Sequence, residues 1–343
     1  MRTVTLLLCC SVFTYVTAGA AETNDVPITE WQSRLAATES TVLPSFRAGV
    51  LTNAEAARHA LPQRATVAGR IEVTATGARA DFGAHQVQFR PNVADVEPVQ
   101  LTTPDGTLLR PRILGLCYVD QDSGESVLIA EPKYSVGQIT DANRILFANA
   151  FDDVSADVLY TYTSRSLEQD VIIRKQLAQP RELGLTGTNI FLAVMTEFIN
   201  PPTLQRKSKP ITVADPLAAA RSVQLDDEEI GLGSMRIVRG KAFSLGNDSQ
   251  PIPVTKRWEV LEGRQFLVES TPLNWIAPQL AALPRLAGEP LKREPQSLKQ
   301  LLAAASRNAE REARSSTPGA GVLPGQMVAV STVKHDDEPG VVL

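Results

Sequence analysis

Along most of this chain hydrophobic and polar positions alternate with a period of two, most clearly between Ile145 and Lys175. From Asp157 to Thr163, Val158, Tyr160 and Tyr162 fall on one face, and from Leu167 to Ile173 the positions Leu167, Val171 and Ile173 keep the same rhythm. Only Ser164 and Arg165 separate the two runs. A two-residue loop at that point predicts a β-hairpin with Tyr162 opposite Leu167, Tyr160 opposite Gln169 and Val158 opposite Val171. Glu262-Gly263 predicts a second hairpin, in which Trp258 and Val260 share a side that Phe266 and Val268 are expected to meet.

Strand-like runs recur at Arg70–Ala75, His85–Arg90, Val99–Thr103, Leu108–Val119, Ser126–Ala130, Tyr134–Ile139, Ile145–Ala148 and Asn189–Phe198. They resume at Met235–Val238, Ala242–Leu245, Val254–Leu261 and Arg264–Ser270. Pro104-Asp105-Gly106, Asp122-Ser123-Gly124 and Thr186-Gly187 supply turns between them. Short strands separated by turns, with no long helices between, predict an all-β fold, an antiparallel β-sandwich. The proline-rich stretch Pro201–Leu225 reads as a long loop. Helical spacing appears only at the ends. Thr29–Ser40 and Thr52–Leu61 form a helical leader, Leu273–Leu283 a closing helix limited by Pro278, and Ser297–Arg314 a polar helix with the narrow stripe Leu298, Leu301, Leu302 and Ala305.

The segment around the first hairpin also resembles a known pattern. Asn149, Phe151, Asp157, Tyr160, Leu167, Glu168, Gln169 and Asp170, followed by the aliphatic run Val171–Ile173, are similar to β-sandwich modules near the N-terminus of large secreted bacterial proteins, including wall-associated proteins of the Rhs/YD-repeat type. The resemblance implies a fold and a location outside the cytoplasm. It assigns no catalytic residue, and the repeats that usually follow such modules are absent from this sequence.

The N-terminus adds a compartment. Arg2, the apolar run Thr5–Val16 and the small residues Ala18-Gly19-Ala20 read as a secretory signal peptide over residues 1–20. An apolar run of that length falls short of the roughly 20 residues needed to span a bilayer, so no membrane span is expected after cleavage. Residues 21–65 then read as leader or linker, 66–284 as the sandwich, divisible into 66–200 and 226–284, and 285–343 as polar helix and linker. Gly340-Val341-Val342-Leu343 turns apolar again, like a strand entered and broken off, which predicts that this is the front part of a longer chain. A net charge of −4 argues against a nucleic-acid partner. Cleavage leaves Cys117 as the lone cysteine, expected to be a buried apolar residue with no disulfide partner.

The candidate chemistry is sparse. Asp152, Asp153 and Asp157 could divide acid and base roles in glycoside hydrolysis or hold a cation, but aspartates before a strand more commonly serve turns. Asp120–Glu125 and the run Asp226-Asp227-Glu228-Glu229 admit a metal reading, against a hairpin loop and a solvated acidic face. Glu197, a carboxylate among apolar strand residues, could be an acid if buried, but it shares a strand face with Ala193 and Met195 and is expected to point outward. Tyr160 and Tyr162 share a face as a sugar-stacking platform would, joined by Trp31, Trp258 and Trp275, although a sandwich interior uses the same pattern. Arg206–Lys209 could touch an anionic polymer. No cofactor motif is present. The sequence therefore reads as an exported, non-enzymatic structural or interaction module with a protein or polysaccharide partner. The alternative is a carbohydrate-binding or carbohydrate-active sandwich, with Tyr160, Tyr162, Asp153 and Asp157 as ligand-binding candidates.

Overall fold

A computed structural model describes residues 6–15, 70–245, 251–286, 293–315, 328–329 and 341–342. The expected helices at 29–40 and 52–61, Trp31 and the cleavage site at 18–21 lie outside the described residues.

In chain order the strands begin with β1 (Leu6–Tyr15) and a five-stranded meander, β2 (Glu72–Thr74), β3 (Gly77–Ala80), β4 (Gln86–Phe89), β5 (Val99–Thr102) and β6 (Leu108–Leu109). Then follow β7 (Pro111–Asp120), β8 (Glu125–Ala130), β9 (Gly137–Asp141), β10 (Arg144–Phe147), β11 (Ala156–Tyr162), β12 (Ser166–Ile173) and β13 (Ile190–Phe198). β14 (Leu204–Ser208), β15 (Ile211–Asp215), β16 (Ala218–Leu225), β17 (Glu228–Leu232), β18 (Met235–Ile237) and β19 (Gly240–Ser244) precede the long pair β20 (Ile252–Leu261) and β21 (Arg264–Pro272). Helix α1 (Leu273–Ala281), the short β22 (Gln296–Ser297), helix α2 (Leu298–Ser315), β23 (Val328–Ala329) and β24 (Val341–Val342) complete the elements.

The chain is an all-β, sandwich-like protein. One antiparallel layer runs β8-β7-β13-β21-β20. The facing layer runs β9-β10-β11-β12-β1, after which β18 and β19 lie end to end along β1. β20 serves both layers, because its first residues pair with β19 and the remainder with β21. Between the layers, Tyr118, Val127, Leu192, Val194 and Leu267 pack in one core with Ile145, Phe147, Val158, Tyr160 and Val171. β13, paired with β7 on one edge and β21 on the other, joins residues before 200 to residues after 226 in a single layer.

The first hairpin has the register its alternation predicts. Val158 lies opposite Val171, Tyr160 opposite Gln169 and Tyr162 opposite Leu167, and the Thr163 amide donates to the Ser166 carbonyl at 2.8 Å across the Ser164-Arg165 turn. The second hairpin also forms, with Glu262 (φ 51°) and Gly263 (φ 78°) in left-handed conformations. Its side-chain partners differ from the expectation. The two-residue turn pairs Leu261 with Arg264, so Trp258 meets Leu267 and Val260 meets Gln265. Phe266 and Val268 consequently belong to the opposite face.

That opposite face is a second core. Leu114, Cys117, Met195, Phe266 and Val268 pack under Leu301, Leu302 and Ala305 of α2. The helix predicted as part of a polar tail is thus a third layer, because a stripe at i, i+3, i+4 and i+7 is wide enough to cover a sheet of small and medium side chains. Ser297 and Gln300 start it with a capping box: the Gln300 amide donates to Ser297 Oγ at 3.4 Å, and Gln300 Oε1 accepts from the Ser297 amide at 3.1 Å. Gly115 (φ 145°) lets β7 bulge between its pairings with Met195 and Thr196, where an added Cβ would sit 2.2 Å from the Ala130 carbonyl oxygen.

Residues 201–225, expected to be a loop, form β14 and the β15–β16 hairpin. β14 exposes four of its five residues, so no buried face imposes alternation on its sequence.

His85 is fully buried beside Tyr162, the ring centroids 4.8 Å apart. Burial pushes its pKa down from 6.5 to about 4, against a smaller opposing effect from the Ser166 backbone. As pH falls through 6.5 the unfolded chain takes up a proton that the folded protein refuses, so stability is present above that pH and is lost toward pH 4. The loss amounts to about 2–3 kcal/mol. Thermal unfolding followed from pH 7 to 4.5 is expected to show a steeper fall for the native protein than for His85→Leu; parallel profiles would exclude this role.

Candidate functional site

Glu197 is the most informative side chain. On β13 it shares a face with Ala193 and Met195, as alternation predicts, but that face lies beneath α2 and Glu197 is 3% exposed. Alternation sorts residues between faces without revealing that both faces are covered. Arg112 of β7 donates Nη2 to Glu197 Oε2 at 2.5 Å, Ser306 of α2 donates Oγ to the same oxygen at 2.7 Å, and Arg264 of β21 donates Nε to Oε1 at 2.8 Å. Arg264 also bonds Glu310 of α2. Burial alone would raise the Glu197 pKa, but hydrogen bonds from Arg112 and Ser306 and the charges of Arg112 and Arg264 outweigh it, holding the carboxyl below its usual range. Glu197 is therefore an anion at neutral pH, suited to holding three elements together and unsuited to donating a proton.

Beside this network a cleft of about 190 Å³ opens between the end of β7, the residues after β8 and α2. Arg112, Glu131, Lys133, Asp152, Asn308 and Arg311 are among its lining residues. Nε and Nη1 of Arg112, itself 2% exposed, have no hydrogen-bond partner among the described residues.

The aspartates sit nearby in a second ionic cluster. Arg293 donates Nη2 to Asp153 at 2.8 Å and Nη1 to Glu131 at 3.2 Å, while Asn308 of α2 donates to Glu131 at 2.8 Å. Asp152 accepts the Glu131 amide at 2.6 Å; burial pushes its pKa up despite that bond and the Arg293 charge. Asp153 occupies a left-handed turn position with φ 51°. Asp157 accepts the Asn149 amide at 2.7 Å and Arg174 Nε at 2.7 Å, fixing the left-handed turn at Asn149 (φ 48°). Asp153 and Asp157 are thus both bound in ion pairs, with Arg293 and Arg174 respectively.

Tyr160 and Tyr162 lie in the core, 1% and 0% exposed. Tyr160 donates to Gln169 Oε1 at 3.0 Å, with its ring near Phe89 and Phe147. Tyr162 donates to the His85 carbonyl at 2.8 Å and accepts from the Gly83 amide at 2.7 Å. Neither ring offers a face to a sugar, and Trp258 and Trp275 are buried as well.

The other acidic runs are also engaged. Asp120 accepts the Gly187 amide, and Asp122 accepts the Thr188 and Asn189 amides, so the β7–β8 loop anchors the approach to β13. Asp227 is buried against Lys256 Nζ at 3.1 Å; Glu228 binds Arg206 at 2.8 Å, and Glu229 approaches Lys209 at 3.6 Å. Of the run that read as solvated, Glu228 and Glu229 thus pair with Arg206 and Lys209 of the basic cluster, and Asp227 is buried, while Asp226 is exposed. A signal existed for Arg112, a charge inside an otherwise apolar strand run; none existed for Arg293, which follows the predicted sandwich in a segment that reads as tail.

No family model, curated protein or solved structure matches the chain.

Replacing Glu197 by Ala strands the Arg112 guanidinium in the interior, and is expected to cost about 3–5 kcal/mol in chemical denaturation. Arg264→Ala, at the half-buried edge of the same network, leaves Glu197 its Arg112 partner and should cost less than Glu197→Ala. Equal losses would show that Arg112 is not the buried partner. Cys117 is fully buried and its pKa is pushed up to about 12 by burial. It should therefore resist a thiol reagent until the protein unfolds, with labelling at Cys117 read by peptide mass spectrometry. Labelling of the folded protein at the unfolded rate would contradict the packing under α2.

Proposed function

We propose that this chain is an exported, non-enzymatic structural or interaction module of a bacterial surface or secreted protein. The observation that carries the reading is the use made of its carboxylates. Asp153, Asp157 and Glu197, the groups best placed in sequence to do chemistry, are each bound by an arginine from another part of the chain. Such pairs join β13 to β7 and β21, β21 to α2 through Arg264 and Glu310, and the loop before β11 to the residues before α2. Ionic cross-links of this kind suit a protein that works by keeping its shape where no disulfide is available. The leader-like residues 1–20 and the Rhs/YD-repeat resemblance at residues 145–175 support the location. Among the described residues no helix is long and apolar enough to cross a membrane.

Expression with the native leader in a bacterial host, followed by fractionation and N-terminal sequencing, should recover an exported product beginning near Ala21. A cytoplasmic product retaining Met1 would overturn the export reading. The purified product should turn over no polysaccharide in a glycan panel; turnover abolished by Asp153→Asn or Glu197→Gln would establish a hydrolase instead.

A further inference from the structure

The middle strands of the first meander, β3 to β5, turn a polar face away from the core. Alternation sends Ala78, Val87, Phe89, Val99 and Leu101 inward, which leaves Arg79, Gln86, Gln88, Gln100 and Thr102 on the other side. Register places three of these in one row across the strands, Arg79 beside Gln88 and Gln88 beside Gln100. The β2–β3 turn adds Thr74 and Thr76. β3 begins at Gly77 (φ 142°), where an added Cβ would lie 1.9 Å from the Phe89 carbonyl oxygen, so the turn lies against β4 with no side chain between. Here the surface forms a recess of about 410 Å³, roughly twice the cleft beside Glu197, with a polar lining of Thr74, Thr76, Arg79, Gln88, Arg90 and Gln100.

These groups are unevenly committed. Arg79 is held by Asp81 at 2.6 Å, and Gln100 donates Nε2 to Glu97 at 2.8 Å, which leaves its amide oxygen available. The side chains of Gln88 and Arg90 form no hydrogen bond or ion pair among the described residues, and the Arg90 charge reaches Asp95 without one. Among the described residues no carboxylate lines the recess. A ligand there meets one uncompensated guanidinium, carboxamides with donor and acceptor atoms, and two hydroxyls. That set fits a molecule dense in hydroxyl groups that also carries a carboxylate. Carboxamides and hydroxyls exchange hydrogen bonds with its hydroxyls, and the guanidinium fork matches both carboxylate oxygens. Nucleic acid would need a run of phosphate contacts, which one free arginine on a chain of net charge −4 does not provide.

We infer that this recess binds a hexuronate unit of an acidic polysaccharide, with Arg90 on the sugar carboxylate and Gln88 and Gln100 on its hydroxyls. Arg79, Gln88 and Arg90 are exposed, so a polymer can run past the recess while one unit is held in it. This assignment gives the interaction module proposed above its partner and rests on that reading.

Calorimetric titration of the full chain with trigalacturonate, a hyaluronan tetrasaccharide, neutral galactotriose and a hexaglutamate peptide tests the site. One of the two uronates should bind and be recovered intact, with galactotriose and hexaglutamate weaker by about tenfold or more. Arg90→Ala should weaken uronate binding by about tenfold or more, and Gln88→Ala by about threefold, with thermal unfolding unchanged. Absence of uronate binding, equal binding of galactotriose, or affinity unchanged by Arg90→Ala would each overturn the inference. Preference for hexaglutamate would assign the recess to an acidic protein segment and overturn the sugar assignment. Should Arg90→Ala fail to fold, Gln88→Glu decides: a carboxylate set beside that of the sugar should abolish uronate binding, and unchanged affinity overturns the site. Turnover of a uronate that is lost with Arg90→Ala would support the site and overturn the non-enzymatic reading, whereas absence of binding overturns the site alone.

Discussion

The architecture depends on β13, a strand paired on both edges and buried on both faces. Leu192, Val194 and Phe198 serve the core between the sheets, while Ala193 and Met195 serve the core under α2. A strand in that position has no solvent face on which to place a charge, so Glu197 can exist there only with its counter-charges supplied from neighbours. β7 and β21 supply Arg112 and Arg264, and α2 supplies the Ser306 hydroxyl. The position of α2 follows from this: its leucines provide the attraction, but the Glu197 oxygen fixes where along the sheet the helix stops sliding.

Buried ion pairs of this kind stabilise little relative to a well-packed apolar core, because desolvation of both charges offsets most of their attraction. Their physical effect is to penalise alternatives. A shift of β13 by one residue would leave Glu197 or Arg112 uncompensated, and a shift of α2 by one turn would take the Ser306 hydroxyl from Glu197 and Glu310 from Arg264, whereas leucines could repack at modest cost. The same logic operates in the other core. Tyr160 donates to Gln169 on the adjacent strand, and Gln169 reaches Thr196 of the facing layer at 3.4 Å, one polar chain crossing an otherwise apolar interior. The layers are thus located by a few directional contacts within a large area of non-directional packing.

How far the sequence disclosed this follows from which signals are local. The register of the Tyr160 hairpin was legible because a two-residue turn and a half-buried face together leave one solution. The turn at Glu262-Gly263 was legible but the partners of Trp258 were not, since composition suggests which side chains should meet while the turn geometry decides which do. β14–β16 were invisible because an exposed ribbon imposes no alternation. The candidate site was legible only in part: Asp152, Asp153, Asp157 and Glu197 stood out as carboxylates, but Arg293 lies more than a hundred residues from the aspartates it binds. Nothing in a local pattern encodes such a partnership. For Glu197 the strand face was legible and its environment was not, since the cover for that face comes from residues after 297.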